Sequence, residues 1–248
     1  FRDNTFDACI NAAGNGNVSL SIANPFNDFE ANCSDTVKVL ECIRKYNPNC
    51  RFLYISSAAV YGNPVKLPVT ETDVCNPLSP YGWHKMISEI ICKEYHSLYG
   101  IKVCCIRPFS VYGAGLRKQL FWDIYQNVLK NKNIELWGTG NESRDFIYIT
   151  DLVNVISLLI EEARMEGETY NVATGTETSI KSISETFCRQ LNPEINVSFN
   201  NKVRIGDPLN WRADISKITE HGFKQKVSLE EGVDRLTKWL KKEQENRN

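Results

Sequence analysis

Apolar residues fall into short runs separated by stretches of helical spacing, and this alternation persists for most of the chain. Residues 6–13 (FDACINAA) read as a buried strand ending in small side chains. Asn24-Pro25 then offers an N-cap and a first-turn proline, and Phe29, Cys33, Val37 and Leu40 mark one helix face. Residues 51–57 (RFLYISS) predict the next strand. After a proline-rich loop, Ser79-Pro80 opens a helix that runs to about Tyr99 and is closed by Gly100. Residues 101–106 are almost continuously apolar, the pattern of a strand buried on both faces. Strand, helix, strand, helix, strand at this spacing predicts right-handed βαβ crossovers and a parallel sheet.

The pattern changes after about residue 113. A helix is expected near 117–131, short strands near 134–137 and 146–149, and a helix over 150–164. Residues 169–172 (TYNV) read as a strand, Thr178 or Ser179 as the cap of a helix to about 191, and Leu229, Val233, Leu236 and Leu240 as the apolar face of a last helix. No internal repeat or low-complexity linker interrupts the 248 residues, and the second half reads as a smaller α+β cap packed on the sheet.

Charge narrows the choice of partner. Lys and Arg number 29 against 30 Asp and Glu, a formal net charge of −1 with no long basic block, so nucleic acid is not expected. No apolar run reaches the ~18–20 residues of a membrane span, and residues 1–10 lack a signal pattern. Nine cysteines, odd in number and without a CxxC, accompany only three histidines. They suit reduced, mostly buried thiols in a cytoplasmic protein better than disulfides, and no metal site is expected.

Five segments could carry chemistry. Tyr81 and Lys85 lie at i and i+4, so a phenol and an ammonium can share one helix face, where a nearby cation is expected to favour phenolate. With ten tyrosines in the chain, about one such spacing arises by chance, and a solvated Tyr–Lys pair is the plain alternative. Position adds weight. The pair opens the helix that follows Ser56-Ser57, at the carboxyl end of a strand, where ligands sit in doubly wound folds. A turn-forming role is the alternative for these serines. The remaining segments are Arg107-Pro108-Phe109-Ser110, residues 137–148 (WGTGNESRDFIY) and Arg204-Ile205-Gly206-Asp207. Two arginines at one cleft would suit a diphosphate.

In order and spacing, INAAG at 10–14, SSAAVYG, YGWHK, RPFSVYG, GNESRDFIYITD and RIGD resemble the extended short-chain dehydrogenase/reductase family, in particular its NAD-dependent nucleotide-sugar epimerases of the UDP-glucose 4-epimerase type. The resemblance covers nearly the whole chain. It implies an α/β fold: a Rossmann-like doubly wound parallel sheet over residues 1–113 and a mainly substrate-binding part over 114–248, with a strand near 168–173 returning to the sheet. It implies Tyr81 as catalytic acid/base, Lys85 as its activator and a ribose contact, and Ser57 as the hydroxyl that binds and relays the substrate proton. Ala12, Ala13, Asn32, Ser56 and Pro108 would attend the NAD cofactor. Ser110, Arg144, Arg204 and Asp207 would hold the nucleotide sugar. By analogy, helices near 25–46 and 80–99 would form a homodimer.

Departures refine the expectation. Ser110 stands where the family usually has Asn, and so would reach phosphate through water. Ala58 and Ala59 stand where the related dehydratases and decarboxylases carry an acidic residue, which leaves no evident acid for dehydration. The reading is therefore C4 epimerisation through a transient 4-keto sugar. Its alternatives are an NADPH-dependent 4-keto-sugar reductase and a non-catalytic sugar-nucleotide-binding protein. Residue 1 is Phe, and the family's opening strand, glycine turn and next strands have no counterpart. Gly14-Asn15-Gly16, with Ser19 in the third glycine place, reads as a plain loop. A preceding glycine-rich segment is expected, and residues 1–248 alone are expected to bind NAD weakly and not to turn over.

Overall fold

The computed structural model describes residues 1–202, 206 and 208–246. The first half contains β1 (Ala8–Asn11), α1 (Val18–Ala23), α2 (Pro25–Phe29), a π-helical turn (Glu30–Ser34), α3 (Asp35–Tyr46), β2 (Arg51–Ile55), a 3₁₀ turn (Ala58–Tyr61), α4 (Pro80–Tyr99) and β3 (Val103–Pro108). Then come β4 (Ser110–Tyr112), α5 (Gln119–Val128), β5 (Asn133–Leu136), β6 (Ser143–Tyr148), α6 (Ile149–Glu162) and β7 (Glu166–Val172). The chain ends with β8 (Glu177–Ser179), α7 (Ile180–Leu191), β9 (Asn196–Phe199), α8 (Ser216–Glu220) and α9 (Leu229–Glu245).

The main sheet has the order β1-β2-β3-β7, and every neighbouring pair is parallel. Side chains alternate across it, so Cys104 and Cys105 point to opposite faces. Cys105 joins Phe52, Tyr54 and Val103 under Leu40 and Ile43 of α3 and Cys92 and Tyr95 of α4. Cys104 joins Leu53 and Ile106 beneath Leu152, Val155 and Leu159 of α6. All six residues of β3 are buried, as the apolar run predicts. β1 differs from the expectation of a buried strand. Among the described residues it pairs only with β2, and Ile10 is 48% exposed. All nine cysteines are free thiols.

A second core, centred on Phe121, Ile124, Phe187, Val233, Leu236 and Leu240, packs α5, α7 and α9 against β6 and the parallel pair β5–β9. β4 and β8 flank β6 in a small mixed sheet. No described helix is long and apolar enough to cross a membrane.

Helix ends follow local chemistry. Ser79 Oγ accepts the Gly82 N–H at 3.2 Å and Pro80 takes the first turn of α4, while Gly100 closes it at φ 66°. Ser179 caps α7 in the same way. Asn24 does not act as expected: its side chain makes no cap bond, and Pro25 alone marks the start of α2. The predicted helix near 25–46 is continuous but widens into the π turn, a feature often found at functional sites. Gly14-Asn15-Gly16 is a loop, as read from the sequence, and it ends where the Asn17 side chain accepts the Leu20 N–H and starts α1.

Candidate active site

β2 stops at Ile55, and Ser57 turns the chain. Its backbone is extended (φ −162°, ψ 149°), and its Oγ accepts the Ala59 N–H at 3.2 Å, capping the 3₁₀ turn. α4 lies hard against this turn. A Cβ built on Gly82 would stand 2.6 Å from the Ala59 carbonyl oxygen and 2.9 Å from Pro77, so glycine permits the approach. The contact brings Tyr81 and Ser57 together on the wall of one cleft, where the Ser57 hydroxyl acts on the phenol. Ser21 Oγ accepts the Tyr81 backbone N–H at 3.1 Å.

Lys85 lies one turn further along α4 and is buried. Its Nζ donates to the Ile55 carbonyl at 2.8 Å and lies 4.8 Å from the Tyr54 ring centroid and 5.9 Å from that of Tyr81. Burial lowers its pKa to about 8, against the opposing pull of Asp28, Cys33, Cys92 and Glu89. Burial also raises the Tyr81 phenol above its ordinary value. The nearby Ser57 hydroxyl opposes that rise and the Asp28 charge adds to it. This corrects the expectation of a phenolate favoured by Lys85: in the protein without ligands, desolvation dominates.

A buried polar network stands behind the site. Ser56 Oγ donates to Glu89 Oε1 at 2.5 Å, and Arg107 clamps both Glu89 oxygens at 2.9 and 2.6 Å. Arg107 also donates to the Tyr61 hydroxyl, which donates to Asn171 Oδ1, both at 2.7 Å. The ends of β2, β3 and β7 are thereby tied to α4, and Ser57 is held relative to Tyr81.

In front lies a cleft of roughly 1210 Å³, lined by Ser56, Ser57, Tyr81, Pro108, Ser110 and Arg144. Arg144 donates to the Ser143 and Leu209 carbonyls at 2.8 and 3.2 Å, and its guanidinium lies 5.4 Å from the Trp211 ring centroid. Ala12 and Ala13 are exposed beyond the end of β1, apart from the lining. Asn32 is buried in the π turn, and its amide donates to the Asn15 and Asp28 carbonyls. Arg204 and Asp207 lie outside the described residues. Sequence reasoning missed Gly16–Ser19, Lys118 and Trp211 as cleft walls. The available signal was that Gly16–Ser19 follow a strand end.

The residues present fit the ribose end of a nicotinamide nucleotide. Its two hydroxyls need donors and acceptors together, and the site supplies an ammonium, a phenol and the Ser57 hydroxyl. The buried Asn32 Oδ1 is an acceptor without a partner in the protein.

A parallel sheet with a serine at one strand end, followed by a Tyr-x-x-x-Lys helix start beside a cleft of this size, defines an extended short-chain dehydrogenase/reductase. The profile of the NAD dependent epimerase/dehydratase family matches residues 1–173, and the chain belongs to that family. A protein of Methanocaldococcus jannaschii that carries UDP-glucose 4-epimerase as a provisional name is 33% identical over 97% of this chain and 78% of its own length. UDP-glucose 4-epimerase of Thermotoga maritima with UDP-glucose superposes with a TM-score of 0.87 at 25% identity, covering 96% of this chain and 78% of that one. UDP-glucuronic acid 4-epimerase of Bacillus cereus, in complex with UDP-glucuronic acid and NAD, gives 0.87 at 27% identity, covering 96% and 76%.

Proposed function

We propose that this chain carries the catalytic group of an enzyme that reversibly inverts C4 of a nucleotide-activated hexose. The observation that carries the reading is Tyr81 beside Ser57, with Lys85 one turn below, lining a cleft in which Ala59 presents a methyl where a dehydratase would need an acid. The chemistry supplied by bound NAD is reversible two-electron oxidation at the sugar carbon. Tyr81 takes the 4-hydroxyl proton as the carbon is oxidised and returns it after the 4-keto sugar has turned. Ser57 donates to the substrate oxygen and keeps it against the phenol. Lys85 stabilises the phenolate that forms, and its ribose contact brings the ammonium and cofactor together. Arg144 and, by motif, Arg204 hold the diphosphate, Ser110 reaches it through water, and Asp207 by motif holds a ribose hydroxyl.

A second copy of the chain is proposed to cover the exposed apolar side chains of the helices at 25–46 and 80–99, among them Phe26, Phe29, Ile90 and Leu98. Sedimentation of parent and Ile90→Asp/Leu98→Asp proteins tests this: a dimer for the first and a monomer for the second are expected.

Mass spectrometry of small molecules released from the purified full-length protein tests the catalytic reading. An epimerase regenerates its cofactor within each cycle, so retained NAD is expected. Turnover that consumes NADPH stoichiometrically would mean a reductase.

A further inference from the structure

Asp28 lies on α2, and its carboxylate is fully removed from solvent. A buried carboxylate persists only when hydrogen bonds replace its water. Here Oδ2 faces His84 Nδ1 at 2.5 Å, and Oδ1 accepts from the Asn15 amide at 2.6 Å. His84 stands three residues after Tyr81 and immediately before Lys85, so the acid–imidazole pair flanks the proton-transfer group. The imidazole packs edge-on against Phe29, centroids 5.5 Å apart, and only 13% of the side chain is exposed. Packing alone does not call for an anion at this contact, since apolar side chains of similar volume generally fold as well or better. What the anion adds is a fixed charge beside Tyr81 and Lys85.

We propose that Asp28 and His84 form a positioning pair whose charge balance, without contact to substrate, adjusts the Tyr81–Lys85 group for proton transfer. The proposal rests on the reading of Tyr81 as acid/base. The Asp28 charge favours the Lys85 ammonium and opposes the Tyr81 phenolate, raising the pKa of both. His84, hydrogen-bonded to Oδ2, withdraws part of that charge. Cys33 from the π turn, Glu89 and Cys92 from α4 and the Tyr54 ring from β2 also face Lys85, while Ser57 faces Tyr81. Glu89 is already clamped by Arg107. Among the described residues, Asp28 has no such arginine or lysine and depends on His84 and Asn15.

The test is an NMR titration of the Lys85 ammonium, assigned by Lys85→Met, in the full-length protein without substrate. From about 8, the midpoint is expected to fall by at least about half a pH unit in Asp28→Asn and to rise comparably in His84→Ala. His84→Gln, which can still donate, should return it toward the parent. Opposite signs are the signature, because loosened packing would move both variants one way. Should Asp28→Asn fail to fold, Asn15→Ala strips the other donor and must shift as His84→Ala does. Unmoved midpoints, shifts of the same sign in Asp28→Asn and His84→Ala, or a fall in Asn15→Ala overturn the proposal. In turnover, the acid limb of kcat should move to lower pH in Asp28→Asn and to higher pH in His84→Ala. Parallel assay of Tyr81→Phe separates the two ideas. Undiminished turnover there would remove the acid/base reading and leave the Lys85 titration to stand or fall alone.

Discussion

Without ligands, burial holds the Tyr81 hydroxyl in its neutral form, and Lys85 directly beneath it carries an ammonium loosened by the same burial. On the proposed mechanism, Tyr81→Phe removes the proton-transfer oxygen and almost no contact area. It is expected to lower kcat by at least ~10²-fold with little change in substrate affinity, as read by steady-state kinetics and a binding titration. Lys85 also leaves a mark on stability. Its folded pKa of about 8 lies below the ordinary 10.5, so between those values the unfolded chain binds more protons. The ammonium therefore destabilises the fold fully below about pH 8, on the order of 3 kcal/mol, and that burden fades as pH rises toward 10.5. Chemical denaturation should show stability rising across this window in the parent and a flatter curve in Lys85→Met. The positions of Ser57, Tyr81 and Lys85 are legible in the sequence because spacing and strand ends fix them. The direction of the Tyr81 shift is not, because desolvation depends on what the fold lays over the ring.

At the scale of elements, the site depends on how closely α4 approaches the turn after β2. Gly82→Ala would drive a methyl into the Ala59 carbonyl and Pro77, neither of which is the end of a flexible side chain. Overpacking of this kind costs about 1–3 kcal/mol. It should also part Tyr81 from Ser57, so kcat is expected to fall at least ~10-fold in a protein that remains folded by circular dichroism. Ser79→Ala removes only the cap of α4, and a loss of about 1 kcal/mol in denaturant titration is expected. α4 itself could be read in full from Ser79-Pro80 and Gly100. α1 could not, since six residues beginning Val-Ser-Leu-Ser carry too short a pattern to separate from the Gly14–Gly16 turn. The strand at 8–11 was legible as a strand but not in its burial, which depends on its neighbours in the sheet. β8 and β9, three and four residues long, gain their pairing only from distant partners at β6 and β5.

Across the whole molecule, the main sheet presents Ser57 and Pro108 and α4 presents Tyr81 to one side of the cleft, while β6 and the segment around Trp211 bring up Arg144. That last contact spans 67 positions in sequence, so the reach of Arg144 was visible only as a motif. Arg144→Ala is expected to weaken nucleotide-sugar binding by about 2–3 kcal/mol, measurable by calorimetry, with a smaller effect on kcat. The parallel sheet and the family were legible because six motifs fall in register. The sugar was not, because the walls that shape its pocket come from loops. The central claim, inversion at C4 through Tyr81, is tested most directly by NMR of the NAD-loaded full-length protein given UDP-glucose or UDP-glucuronate deuterated at C4. The 4-epimer is expected to accumulate with its C4 deuterium retained and no net change in NAD, and Tyr81→Phe to suppress this at least ~10²-fold. A 4-keto-6-deoxy product, or conversion undiminished in Tyr81→Phe, would contradict it.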